Sequence, residues 1–600
     1  MTHFLYCLQR SRSLPPKPQS FKSQALLLRS FSSVPTPNPS SHRVLLLLLS
    51  SRISNPRHLR QLLCRAAVSG LHFNNRHLHL LNSILHSLSL GPAPSVALTL
   101  FQLIHSQGLA IDDYTFTSAL KAISRLSQPN TGAEIHSLVI KLGLEFDTFA
   151  LNSLIHMYSS CGYTDIARRV LDLAPDSSRD VVSWNSMVSG YFHNELYAES
   201  VRLFVQMVEH SMTMDANTLV GALRSCAKIG ALNLGRRIHS LVVTGGVNMD
   251  SYLGSSLISL YGKCGDIDHA QKMFDEMPVS ERNAVCWTAL ISSYSQLNRF
   301  GKAIELFGKM QAERSVKPDD NAIASVLSSC AQLGALDQGR YIHAYCDSIG
   351  IGFGLSVKNA LIDMYSKCGD IERALCVFRQ LDRPDVFSWT TIISGLAMNG
   401  NSLGALELFS QMEASGLVAP NQVTFLGVLS ACSHGGLIEQ GYDYFDRMGS
   451  VYGLSPQLEH YGCMVDLLGR AKRLVEAEKF IREMPVDPDA VIWRSLLFAS
   501  RINEDVGMAE LAARRIMELE PMKCGGPVML SNVYAVASRW IDANRMRVTM
   551  NSQSIQKQPG CSFVELKGVL HEFLSTDKSH PETEIIYEIL GGVEKHSRNV

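Results

Sequence analysis

Acidic residues are missing from the first 111 positions of this 600-residue chain, which hold Lys17, Lys22 and nine arginines. The formal charge of the whole is zero, so residues 112–600 carry −11. Such an acidic body excludes a protein that grips nucleic acid by general phosphate neutralisation, so any binding of a strand must rest on local contacts. Long apolar runs are missing too. The longest aliphatic stretch, Val44 to Leu49, is far short of the roughly 20 residues a membrane-spanning helix needs, and no span is expected. The fourteen cysteines include no Cys-x-x-Cys pair, which removes a common signature of zinc and of dithiol chemistry. There is no Gly-rich phosphate loop and no catalytic-triad spacing, so neither cofactor, metal site nor catalytic residue is expected. Charged residues are scarce, 18% against 46% hydrophobic. That balance suits stacked helices buried on more than one face.

What is present, first, is a leader. Residues 1–43 are rich in Ser, Arg, Pro and Leu, and Arg29 stands just before Phe31-Ser32. An acid-free, Arg- and Ser-rich start fits organellar import, with the mitochondrion the expected address and the chloroplast the alternative. Residues 44–77 read as a degenerate helical cap.

Beyond it the chain repeats. DVVSWNSMVSGY from Asp180, NAVCWTALISSY from Asn283 and DVFSWTTIISGL from Asp385 overlay almost without gaps, placing Trp184, Trp287 and Trp389 alike, and Trp493 continues the series. GALNLGRRIHS from Gly230 and GALDQGRYIHA from Gly334, with a weaker NTGAEIHS from Asn130, align His136, His239 and His343. SLISLYGKCGDIDHA from Ser256 and ALIDMYSKCGDIERA from Ala360 form a third set with SLIHMYSSCGYTDIA from Ser153. The super-period is roughly 103 residues, three units of about 35 each, in the range of helical-hairpin repeats. Trp184, Met187, Val188 and Tyr191 mark one face of a first helix, and Tyr197, Val201, Phe204, Val205 and Val208 predict the face of a second. The breakers Met277-Pro278, Lys317-Pro318-Asp319, Ala419-Pro420-Asn421 and Met484-Pro485 separate units. One hairpin cannot cover its own apolar faces, so the units must stack. The recurrent histidines lie about a hundred residues apart and are expected to be packed rather than metal-bound. Cys161, Cys264 and Cys368 are expected to serve as small packing residues.

These motifs resemble the pentatricopeptide repeats of land-plant organelles, in the subclass that alternates P, L and S variants. The array runs over 78–489. Residues 490–558, with AVIWRSLLFAS and PVMLSNVYAVASRW, are similar to that subclass's E region, and 559–600, with QPGCSFVELKGVLHEFLSTDKSHPETEIIYEIL, to its extension. The resemblance implies an all-α fold, a right-handed superhelical α-solenoid of helix-turn-helix repeats, that binds single-stranded organellar RNA. A DYW-type deaminase domain often follows in such proteins and holds zinc with a His-x-Glu and a Cys-x-x-Cys. The chain through Val600 is read as lacking that set, hence as non-catalytic.

By resemblance, each unit reads about one base through its fifth and last residues. The pairs are Asn82/Asp112 (P), Thr117/Asp147 (L), Asn152/Asp180 (S), Asn185/Asp215 (P), Ser255/Asn283 (S), Thr288/Asp319 (P), Asn359/Asp385 (S) and Thr390/Asn421 (P). The L units with Val220/Asp250, Ala324/Gly354 and Leu426 have an apolar fifth residue and are left open, as is the last S unit with Cys463/Asp489. The family's pairings imply a target 5′-U-G-U-U-N-A-G-N-U-A-N-N, the G at its second place weak, occupying about positions −15 to −4 relative to the edited C, with three nucleotides between the string and that C. The expected role is site recognition for C-to-U editing, with a DYW-type deaminase or multiple organellar RNA editing factor proteins recruited in trans. The alternative is splicing, stabilisation or end protection through the same groove. A peptide-docking scaffold would not sort polar pairs by unit type.

Overall fold

The computed structural model describes residues 78–597 apart from 92–93, 211, 213, 314–315, 350–353, 522, 553–559, 567–568 and 576–577. The leader and the cap expected at 44–77 lie outside the described residues, as does the boundary at 558–559. The described chain holds 29 α-helices, two short 3₁₀ turns and one antiparallel β-hairpin, and divides into two compact bodies, Met1–Asp266 and Ile267–Val600. Each body is an α-solenoid of helix-turn-helix repeats.

In the first body the first helices of successive hairpins, from Leu78–Leu90 to Ser251–Lys263, pack on one another as an inner row. The second helices, such as Tyr197–Glu209, form an outer row against it. Trp184, Met187, Val188 and Tyr191 are all buried, as their spacing predicts. Burying each such side chain stabilises by roughly 1.5–3 kcal/mol. The second helix departs from expectation. Its buried residues are Ser200, Leu203, Phe204 and Met207, while Tyr197, Val201, Val205 and Val208 are half-buried. An outer helix has neighbours on one side only, so its buried stripe is narrow. Counting every apolar residue overstated it and shifted it.

Adjacent hairpins are joined by polar clips that recur with unit type. In the first body Arg236 Nη2 meets Asp266 at 2.7 Å, and His239 Nδ1 is hydrogen-bonded to the Tyr261 hydroxyl at 2.8 Å. In the second body Arg340 meets Asp370 at 2.8 Å and His343 meets Tyr365 at 2.9 Å. The aligned histidines are therefore structural, as expected. At the next interface Asn194 Nδ2 donates to the Ser159 carbonyl at 2.8 Å, and Asn399 Nδ2 to the Ser366 carbonyl at 2.8 Å. The helices approach so closely there that a Cβ on Gly190 would lie 2.4 Å from Ser159 Oγ.

His136, hydrogen-bonded to Tyr158 at 3.1 Å, is pushed down to about 4 by burial. It is neutral in the fold and titrates near 6.5 when unfolded. Its contribution is fully present above pH 6.5 and lost as pH falls towards 4. Lowering pH from 7 to 5 should cost about 2 kcal/mol through this residue alone. Denaturant melts of wild type and His136→Gln at both pH values check it, since the variant should lose that increment of pH dependence.

In the second body the stack continues past the array. Asp489 caps the helix Ala490–Ile502, Trp493, Leu496 and Leu497 pack with Tyr461, Val465 and Leu468, and Asn503 Nδ2 donates to the Gly469 carbonyl at 2.9 Å. The hairpin β1 (Cys561–Leu566) and β2 (Val569–Leu574) pairs from Cys561↔Leu574 to Leu566↔Val569. Its Glu565 accepts hydrogen bonds from the Asp337 and Gln338 amides at 2.8 and 2.9 Å. These amides lie in the first turn of the helix Leu336–Ser348, where backbone donors point out of the N-terminus, so the carboxylate caps them.

Candidate nucleic-acid interface

The last residue of a unit first serves the backbone. Asp112, Asp147, Asp180, Asp215, Asp250, Asn283, Asp319, Asp385 and Asn421 each precede a first helix and accept from an amide of its first turn. These are N-caps, each contributing typically about 1 kcal/mol. Because the cap fixes the carboxylate or carboxamide, it can also orient the fifth residue of its own unit.

It does so in six of the expected pairs. Asn82 Nδ2 donates to both Asp112 oxygens at 2.9 and 3.0 Å, Asn185 Nδ2 to Asp215 at 2.9 Å, Asn152 Nδ2 to Asp180 at 3.3 Å, and Asn359 Nδ2 to Asp385 at 3.4 Å. Thr288 Oγ1 donates to Asp319 at 2.9 Å. Thr390 reaches Asn421 through a third residue, its hydroxyl lying 2.7 Å from Thr424 Oγ1, which in turn lies 3.0 Å from Asn421 Oδ1. Thr117 and Asp147 are not joined, because the Thr117 hydroxyl turns back to the Asp113 carbonyl at 2.8 Å. Ser255, in the first body, likewise donates to the Tyr252 carbonyl, and Asn283, in the second, caps Val285 and Cys286.

A third position was missed in the sequence reading. Thr115, Thr218, Ser388 and Thr424 stand three residues after the cap. Thr115 Oγ1 lies 2.8 Å from Asn82 Oδ1, Thr218 Oγ1 lies 2.5 Å from Asn185 Oδ1, and Ser388 Oγ lies 2.7 Å from Asn359 Oδ1. The signal was visible as Asp/Asn-x-x-Ser/Thr at 112–115, 215–218, 385–388 and 421–424. Ser183 bonds only Asp180, and the buried Asn152 Oδ1 has no partner. Burial alone would raise the Asp215 carboxyl, but bonds from Thr218 and Asn185 outweigh it and hold the group below its ordinary range. Asp385 is held down in the same way by Ser388 and Asn359. Both caps are anionic at neutral pH.

A cleft of about 370 Å³ opens at the Asn185/Asp215 pair, lined also by His156, Ser159, Val182 and Ser189. In the first body Lys263 is pushed down by burial and by the neighbouring Lys228 and Arg224, a cluster of like charge within the net-acidic stretch 112–600. The unit around Ala324 is bare. Its last residue, Gly354, packs so tightly that a Cβ would meet Asp320 Oδ2 at 2.3 Å. Near the C-terminus, His580-Pro581-Glu582 does spell His-x-Glu, which the sequence reading overlooked. No Cys-x-x-Cys exists to complete a zinc set, and His580 Nε2 lies 2.8 Å from His571 Nδ1.

Comparison with known proteins agrees with this architecture. The PPR repeat matches at 182–212, 255–281, 285–315, 357–383, 423–450 and 459–487, the PPR repeat family at 384–434, and the E motif at 503–565. Among curated proteins, a pentatricopeptide repeat-containing protein of Arabidopsis thaliana named as mitochondrial is 37% identical over 519 residues, covering 81% of this chain and 75% of its own. Another from the same plant is 38% identical over 488 residues, covering 81% of each. A crystal structure of the pentatricopeptide repeat protein PPR10 from maize has the same fold at 17% identity, with a TM-score of 0.50 over 90% of this chain and 77% of that one. The chain belongs to the pentatricopeptide repeat protein family and carries an E motif.

Proposed function

We propose that the protein is a sequence-specific single-stranded RNA-binding factor that selects organellar C-to-U editing sites and recruits a deaminase in trans. The observation that carries the reading is the hydrogen-bonding capacity each pair has left. Asn185 gives one N–H to Asp215, and one lone pair of its oxygen faces the Thr218 hydroxyl, whose proton is shared with Asp215, so one N–H and one lone pair remain. That combination suits a pyrimidine edge, uracil by family resemblance. The single Thr288 hydroxyl proton is held between the Ala284 carbonyl at 2.7 Å and Asp319 at 2.9 Å, leaving only acceptors on both residues, which suit the N1–H and N2–H donors of guanine. With Thr424 donating to Asn421 Oδ1, Thr390 donates to Thr424 and keeps a lone pair, while the Asn421 amide keeps its protons. An acceptor beside a donor suits adenine N6–H and N1. The acceptor-only Thr288 pair and the donor-plus-acceptor pairs thus favour different edges, and uracil is told from adenine by family resemblance. The cluster of Arg224, Lys228 and Lys263 supplies local attraction for phosphate.

The E motif favours editing over splicing or end protection. Organellar transcriptomes of a null mutant should show one C left unconverted, separated by three nucleotides from a match to the string given above. Full conversion at every site would exclude an editing role. The leader at 1–43 supports a mitochondrial address, and a reporter fused to it should enter mitochondria. Exclusive plastid import would overturn that.

A further inference from the structure

We propose that Arg494, beyond the array, reads one more base and favours guanine there. The inference rests on the RNA-binding reading above and adds a contact to it.

Arg494 follows Trp493 as Asn185 follows Trp184, Thr288 follows Trp287 and Thr390 follows Trp389. The hairpin that carries it is built as an array unit. Asp489 accepts from the Val491 and Ile492 amides, Trp493 and Leu496 are buried, and Asn503 makes the same clip to the preceding unit as Asn399 does. Arg494 therefore occupies the fifth position of a unit stacked directly on the last S unit. Like the array's fifth residues, it is held by a carboxylate from the far end of its own hairpin. Its Nη2 pairs with Glu520, which also takes Lys523 Nζ at 2.9 Å. The separation of 26 residues equals that of Asn359 and Asp385.

This site differs in chemistry from every other pair. A guanidinium has five N–H donors in a planar fork and no acceptor, and Glu520 engages one face of it. The side chain remains 34% exposed, so N–H groups are free to meet a base. A donor-only fork needs two adjacent acceptors. Guanine supplies O6 and N7, whereas uracil and adenine set a donor next to each Watson–Crick acceptor. Cytosine, with N3 and O2 adjacent, ranks second. The base concerned is the one 3′ of the nucleotide facing Cys463 and Asp489. An ion pair that merely ties the two ends of this hairpin together would be indifferent to it.

The test uses the full chain and four oligonucleotides matching the target string, differing only at that nucleotide. Wild type should prefer G to U by about tenfold. Arg494→Ala should flatten the profile while preferences at the −6 and −9 positions persist. Arg494→Lys, which keeps the charge but loses the fork, should keep overall affinity and lose the preference. A flat wild-type profile, or a G preference that survives Arg494→Ala, overturns the proposal. If wild type binds none of the oligonucleotides, the RNA-binding reading itself fails. That outcome is distinct, because preference then vanishes at every position rather than at one.

Discussion

Exchanging Thr390 for Asn together with Asn421 for Asp should move the preference of the last P unit from adenine to uracil by about 1–3 kcal/mol, roughly five- to 150-fold in relative affinity. The double substitution recreates an arrangement the chain already holds twice. In Asn82–Asp112–Thr115 and Asn185–Asp215–Thr218 the cap carboxylate takes one amide proton and the threonine hydroxyl lies against the amide oxygen. Thr424 already stands where Thr115 and Thr218 stand, three residues after the cap. The asparagine introduced at position 390 would therefore be held by both neighbours and show one N–H and one lone pair to the groove. Thr390 is as buried as Asn82, so the site has the enclosure an asparagine uses elsewhere in the array. Fluorescence anisotropy titrations with oligonucleotides varied at the −6 position read the change. If the double variant melts like wild type and still prefers adenine there, the register between repeats and bases is wrong.

The first helices were legible because both sides of the inner row are packed. The spacing of Trp184, Met187, Val188 and Tyr191 reports directly on burial. The outer helices were not, since half-exposed valines carry the same letters as buried ones. The pairs could be placed through the family resemblance, yet their mechanics could not. That Asp215 is an N-cap, and that Thr218 closes the triangle, depends on where a helix begins to within one residue. Thr117 shows the limit in the other direction. It has the right residue type at the right position, but a hydroxyl within a helix can return to the carbonyl four residues back, and there it does. The contact of Glu565 with Asp337 and Gln338 spans 228 and 227 residues, a separation on which no repeat period bears.

Removing residues 559–600 should abolish editing in the organelle while leaving RNA affinity essentially unchanged. The choice of cut matters. A chain ending at 489 would strip Trp493, Leu496 and Leu497 from Tyr461, Val465 and Leu468. Each large apolar side chain lost from such a cluster costs about 2–5 kcal/mol. The last S unit would then be unstable, and lost editing would say nothing about recruitment. Ending at 558 keeps that cluster whole and keeps every reading pair. What goes is the hairpin, the helix Thr583–Ser597 and the Glu565 cap on the helix Leu336–Ser348, the last costing about 0.5–2 kcal/mol in a helix still held by its neighbours. The removed segment exposes Phe563, Val564 and Leu566 on β1, and Ile585, Ile589 and Val593 at four-residue spacing along the helix. An apolar stripe left open to solvent is the kind of surface a recruited protein covers. Complementing a null mutant with the truncated chain, alongside binding measurements on the purified protein, separates the two roles. Full editing by the truncated chain would remove recruitment from these residues, and a large loss of RNA affinity would show that they help to hold the strand.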